Sequence, residues 1–295
     1  MLLHWFLQVL FFWSQLQTVS GFTQYLLKRC DQAGFCTRNR YYAENVQKTR
    51  ASYYTIEDSS VHYDESDKTL YATIIKSIPP SEDKDSITKI ELPFALQLLQ
   101  DGSSVRFIID ENRPHKDYLP EALNQRRYNE TSKWAFTNLH KKIPYVKKGT
   151  TFNKHKIIVE EDPDYVGNLS LELFTDSFLI KVYWKDELAM VVNERSLLNY
   201  EHLRAETENE QNLLPEESDF NMFHDNFKYS KADTLPFGPE SVALDFAFNG
   251  IENLYGLPEH PDSFRLKDTT DGEPYRLYST DVFRYDIGTK MPMYG

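Results

Sequence analysis

Apolar and polar residues alternate with a period of two along much of this chain. A strand places successive side chains on opposite faces, so this pattern predicts half-buried strands. The run TLYATIIKSI (69–78) is β-branched and aromatic and stops at Pro79-Pro80. Residues 86–110 hold two apolar stretches separated by Asp101-Gly102, which reads as a hairpin. HKIIVEED (155–162) supplies a further strand, and LSLELF (169–174) alternates strictly. FLIKVYWKDELAMVVN (178–193) reads as two strands joined by a turn at Lys185, Asp186 and Glu187. VALDFAF (242–248) alternates and ends at the turn dipeptide Asn249-Gly250. Between 111 and 156 the chain turns polar and reads as a long insertion, with a short helix near residues 133–142. Residues 205–241 are acidic and irregular and read as a surface excursion. Strand after strand, with short polar turns, little helix and no fixed repeat, predicts an all-β fold: an antiparallel sandwich or barrel.

The amino terminus breaks this pattern. Residues 2–13 are almost wholly apolar and then give way to small and polar residues. The run is shorter than the roughly 20 residues a membrane span needs. It fits the core of a secretory signal peptide over residues 1–21, with Val19-x-Gly21 as the cleavage site, although no Lys or Arg precedes it. The mature chain is then lumenal or secreted. Cys30 and Cys36, the chain's two cysteines, flank Gly34 and read as a small disulfide loop within an N-terminal segment, residues 22–60. Two sequons, at Asn129 and Asn168, suit the same compartment as glycosylation sites. The remainder, residues 61–295, is expected to form the β-sandwich. The apolar ending KMPMYG looks like the start of another strand, and the polypeptide is expected to be incomplete at its C-terminus.

Composition narrows the chemistry. The 295 residues carry a formal net charge of −12, and no basic face is available to neutralise phosphates, so nucleic acid is an unsuitable partner. No glycine-rich phosphate loop, Gly-x-Ser-x-Gly turn or His-Glu-x-x-His helix occurs. Aromatic residues reach 14%, which reads first as a large β core, although it also suits sugar stacking. Trp184 belongs with the core on this reading. Residues 252–286 concentrate Glu, Asp, Arg, His and Tyr, the residue types that bind sugar hydroxyls. Glu259 and Asp281 there are candidate paired carboxylates, and Glu259 stands beside His260. From residue types alone, backbone-bonding loop carboxylates remain the simpler reading.

The segments GPESVALDF, YGLPEH, GEPYRLYSTDVFRYD and PMYG resemble the amino-terminal region of the endoplasmic-reticulum α-glucosidases of glycoside hydrolase family 31. CDQAGFCTRNR and residues 214–241 resemble the fungal members in particular. The resemblance runs from Phe22 to Gly295 and is weakest between 111 and 156. It implies a galactose-mutarotase-like β-sandwich that precedes a catalytic (β/α)8 barrel. It also implies a retaining hydrolysis of α-1,3-linked glucose on N-glycans, no metal or organic cofactor, and a noncatalytic β-subunit as partner. The barrel carries both catalytic carboxylates and needs about 250 residues of its own. This sequence has neither its Asp-Met-Asn-Glu-like segment nor the room, so no residue here inherits a catalytic role. One contact carries over by motif: Asp281 in STDVFRYD matches an Asp that binds hydroxyls of the glucose in the cleaved subsite. Glu259 and His260 are then read as loop-shaping groups near the sandwich–barrel junction. A free-standing lumenal carbohydrate-binding sandwich without catalysis is the alternative.

Overall fold

A computed structural model of the chain describes residues 29–80, 86–99, 104–111, 151–153, 156–160, 168–203, 222–225, 233–235, 238–239, 241–258, 263–270, 272–277 and 292–293. The chain forms two compact units. One comprises Gly34–Asp225 and Ala232–Gly250, and the other Met1–Ala33, Asn226–Lys231 and Ile251–Gly295.

The larger unit opens with helix α1 (Gly34–Thr49). The strands that follow are β1 (Tyr54–Ile56), β2 (His62–Asp64), β3 (Thr69–Ile78), β4 (Thr88–Leu98) and β5 (Val105–Ile109). Next come β6 (Thr151–Asn153), β7 (Lys156–Glu160), β8 (Leu169–Phe174), β9 (Leu179–Trp184) and β10 (Glu187–Val192). Short strands complete the unit: β11 (Asn199–Tyr200), β12 (His224–Asp225), β13 (Asp233–Thr234), β14 (Val242–Ala243) and β15 (Phe246–Phe248).

Two antiparallel sheets result. The five-stranded sheet has the order β1-β3-β4-β5, with β2 also pairing β3. The six-stranded sheet has the order β15-β10-β9-β8-β7-β6. Strand alternation sets their inner faces. Leu70, Ala72 and Ile74 of β3 and Leu92, Phe94, Leu96 and Leu98 of β4 pack in one cluster with Leu169, Leu171, Leu173, Ile180 and Val182 of the other sheet. Phe94 meets Phe178 edge-on, with ring centroids 5.6 Å apart. Each fully buried aliphatic or aromatic side chain contributes about 1.5–3 kcal/mol relative to exposure. The fold is therefore an antiparallel β-sandwich, as the alternation predicts.

The outer face of the six-stranded sheet carries a polar cluster. Glu172 accepts hydrogen bonds from Lys156 Nζ at 2.6 Å and from Tyr183 Oη at 2.9 Å. Partial burial pushes the Glu172 carboxyl up, but the Lys156 and Tyr183 bonds outweigh it and hold the pKa below the usual carboxylate value. Burial raises the Tyr183 phenol, and the adjoining carboxylate adds to the rise.

Helix is scarce among the described residues, as the alternation predicts, and the 16-residue α1 carries Cys36 in its first turn. Its buried residues Arg38, Tyr42 and Val46 recur every fourth position, placing them on one face. Tyr42 and Val46 pack with Ile78, Ile90 and Leu197. One expectation is corrected: the expected strand 242–248 is split, with β14 pairing β11 and β15 pairing β10. The break is Asp245, whose carboxylate accepts the backbone N–H groups of Arg195 (3.0 Å) and Leu197 (3.1 Å). The hairpin at Lys185 and Asp186 has positive φ at both residues (51° and 66°), the geometry of a type I′ turn. β4 and β5 pair antiparallel, from Phe94↔Ile109 to Leu98↔Val105. The helix expected near residues 133–142 lies outside the described residues.

A buried strap, residues 198–203, crosses the sandwich and carries polar groups that alternation alone would not place inside. Glu201 is fully buried and receives Arg38 through Nε (2.5 Å) and Nη2 (3.1 Å), with Ser241 Oγ as a third donor. Lys76 Nζ donates to the Tyr200 carbonyl at 3.0 Å, and Tyr42 Oη donates to the Leu198 carbonyl at 2.8 Å. The Tyr200 N–H donates to Tyr54 Oη, and the Leu203 N–H to Glu111 Oε2.

Removing one member of a buried ion pair leaves an uncompensated charge and costs about 3–5 kcal/mol. Arg38→Met is expected to lower unfolding stability by that amount in urea titrations. The double variant Arg38→Met with Glu201→Leu is expected to recover most of the loss, because no buried charge then remains.

Candidate functional site

The candidate chemistry falls in the smaller unit, after Gly250. Its first element is a hairpin-like loop. Tyr255 and Arg265 form an antiparallel bridge, and the Leu266 N–H donates to the Leu254 carbonyl at 2.8 Å. Arg265 Nη1 donates to Asn253 Oδ1 at 3.0 Å, and the Tyr255 and Phe264 rings lie 5.4 Å apart. The turn comes from Gly256, with φ of 124°, followed by Leu257 at 56° and Pro258. Only glycine adopts the first of these angles without strain. Glu259 and His260 sit between the two arms in sequence and lie outside the described residues.

The second element follows directly. Asp268 Oδ1 accepts the N–H and hydroxyl of Thr270, closing a local turn. Tyr275 Oη accepts the Lys267 N–H at 3.0 Å. Both carboxylate oxygens of Glu273 accept the Cys30 N–H, at 3.3 and 3.1 Å, and Arg276 Nε stands 4.0 Å away. Glu273 thus ties the segment around Cys30 to the GEPYRL segment, 243 residues further on. The sequence motif contains Glu273, but nothing in its local pattern announces this long-range role.

Asp281 lies outside the described residues, between two short strands that are described. These are β16 (Arg276–Leu277) and β17 (Pro292–Met293), which pair in parallel, Arg276 with Pro292 and Leu277 with Met293. The ends of the segment that contains Asp281 are therefore held together at strand spacing, about 4.8 Å.

The other candidates separate. Both cysteines, Cys30 and Cys36, are disulfide-bonded. Asn129 is outside the described residues, and Asn168 is exposed at the start of β8. Trp184, read from the sequence as a core residue, is 38% exposed at the end of β9 opposite Leu169. The strand alternation points it towards the inner face, but the sheet ends there and the cover is incomplete. Among the described residues no group of three or more His, Cys, Asp or Glu is placed to hold a metal ion. No helix among them is long and apolar enough to cross a membrane.

The description "Glycosyl hydrolase 31 N-terminal galactose mutarotase-like domain" matches residues 93–295, and the chain belongs to this family. The chain is 45% identical over 301 residues to glucosidase 2 subunit alpha of Saccharomyces cerevisiae, which covers 93% of the chain and 31% of that relative. It is 28% identical to human neutral alpha-glucosidase AB, across 91% of the chain and 27% of the relative. The crystal structure of a glucosidase II alpha subunit in its Glc1Man2-bound form superimposes with a TM-score of 0.73 and 28% identity, over 91% of this chain and 28% of that one. A heterodimeric ER glucosidase II complex, of catalytic subunit with the binding domain of the regulatory subunit, gives a TM-score of 0.70 at 29% identity. The chain thus spans less than a third of the length of these relatives.

An added Cβ at Gly256 meets nothing within 4 Å, so substitution there is opposed by φ alone. Gly256→Ala is expected to cost about 1–3 kcal/mol locally. Amide exchange at Leu266, whose N–H closes the loop, is expected to accelerate on the order of ten-fold or more. Amides of β8 and β9 are expected to be unchanged.

Proposed function

We propose that this chain is the amino-terminal part of a lumenal α-glucosidase of the glucosidase II type, which trims α-1,3-linked glucose from N-glycans on glycoproteins. The observation that carries the reading is the 45% identity to the yeast glucosidase 2 alpha subunit along 93% of the chain. The apolar run at residues 2–13 and the disulfide-bonded cysteines support an oxidising, secretory compartment, the endoplasmic-reticulum lumen.

In this reading the chain supplies scaffold and substrate positioning. Retaining hydrolysis needs two carboxylates about 5–5.5 Å apart, one as nucleophile and one as acid/base. Both belong to the barrel, so the sandwich alone is inactive. Asp281 accepts hydrogen bonds from hydroxyls of the glucose being cleaved. As a carboxylate it is acceptor-only, which suits a ring that presents several hydroxyl donors. Holding the sugar in one orientation raises the rate of attack without any bond being made to Asp281. Glu259 and His260 shape the adjoining loop. A noncatalytic β-subunit is the protein partner, a reading supported by the regulatory-subunit complex among the similar structures.

Replacing Asp281 by Asn in the full polypeptide keeps the shape and removes the charge. A hydrogen bond to a charged group is worth about 1.5–3 kcal/mol, so kcat/KM for an α-1,3-linked glucosyl disaccharide is expected to fall roughly ten- to a hundred-fold. An unchanged kcat/KM in a correctly folded variant overturns the role given to Asp281. An absence of α-1,3-glucosidase activity in the unaltered full polypeptide overturns the enzyme reading itself.

A further inference from the structure

Asn168 lies at the exposed start of β8. It is exposed, and its carbonyl accepts the Lys185 N–H at 2.8 Å, which fixes the backbone at the end of the six-stranded sheet. The next residue, Leu169, faces the core at 7% exposure, and Leu171 is fully buried. Strand alternation therefore puts Asn168 and Ser170 together on the outer face, away from the core. Across the strand pair, Lys185, Asp186 and Glu187 form an exposed polar turn. Two other asparagines of this unit, Asn193 and Asn199, are each 1% exposed and could not carry a large substituent.

We propose that Asn168, in the sequon Asn168-Leu169-Ser170, carries an N-linked oligosaccharide, and that this end of the six-stranded sheet stays open to solvent in the whole protein. The proposal rests on the lumenal reading above. In the transfer, Asn168 Nδ2 attacks C1 of a polyprenyl-diphosphate-linked oligosaccharide. The N–C1 bond forms as the bond from C1 to the diphosphate oxygen breaks. The polyprenyl diphosphate leaves with the electron pair, and the proton lost from Nδ2 passes to a base on the transferase.

The fold also fixes when this happens. β8 is an interior strand, paired with β7 on one side and β9 on the other. Ser170 pairs with Glu160 and Tyr183 in that ladder, and Leu169 is buried beneath it. A transferase must reach Asn168 and Ser170 on one extended segment, so modification precedes the pairing of β8. The folded sheet then tolerates the glycan because only the exposed amide bears it.

The test uses the unaltered full polypeptide from microsomes of its own host. The protein is treated with a peptide amidase that removes N-glycans in heavy-oxygen water, and the peptide spanning Asn168 is read by mass spectrometry. Conversion of Asn168 to heavy-oxygen-labelled Asp is expected, and Ser170→Ala is expected to abolish it and to remove the mass of one glycan. An unlabelled Asn168 peptide, from chains whose residues 1–21 have been removed and whose cysteines are oxidised, overturns the proposal while leaving the lumenal reading intact. A chain that retains residues 1–21 and is digested by protease added outside sealed microsomes overturns both.

Discussion

The ion pair between Arg38 and Glu201 is the constraint around which the larger unit is arranged. Both side chains are almost wholly shielded, at 4% and 1% exposure. Withdrawing two charges from water costs several kcal/mol each, and their attraction offsets this only with good geometry and further hydrogen bonds. The guanidinium meets the requirement through two contacts with one carboxylate, and Ser241 supplies another donor. The pair has one satisfactory arrangement, in which α1 lies where Tyr42 and Val46 reach Ile78 and the strap runs where Tyr200 meets Tyr54 and Lys76. Hydrophobic packing between the sheets holds the unit together, while the buried charges specify where its non-strand segments go.

That division of labour bears on function. A sheet-on-sheet core is rigid, and its own outer face is occupied by satisfied groups such as Glu172, Lys156 and Tyr183. Asp281, the residue proposed to touch substrate, belongs instead to the loop-rich unit. There, Gly256 turns the chain, Glu273 holds the Cys30 segment, and β16 with β17 brackets the segment containing Asp281. The positioning role proposed for Asp281 spends binding energy on orientation rather than on bond cleavage. A retaining α-glucosidase needs carboxylates from elsewhere in the polypeptide, which accords with relatives about three times as long as this chain.

The parts of the fold that obey a single period were legible in the sequence. LSLELF and TLYATIIKSI became β8 and β3 because alternation and burial agree there. The turn at Lys185 and Asp186 was legible from its polar residues between two apolar runs. Helix α1 was not, because its buried face includes Arg38, a residue that reads as solvated until Glu201 is known to face it. The division of residues 242–248 was not legible either. Its alternation continues through the break, and what interrupts the strand is a long-range demand on Asp245 from Arg195 and Leu197. In the candidate site, Glu273 looked like any loop carboxylate. Trp184 looked like core because its strand is, and only the place where the sheet stops explains its exposure.

The proposal under which this sandwich works as one part of a longer glucosidase polypeptide has a direct test. The most direct measurement is the mass of the native chain, taken from a deglycosylated microsomal extract with an antibody raised to residues 214–226. A polypeptide far larger than 34.7 kDa is expected. A single species near 34.7 kDa, less the leader, would contradict it and leave a free-standing lumenal sandwich in its place.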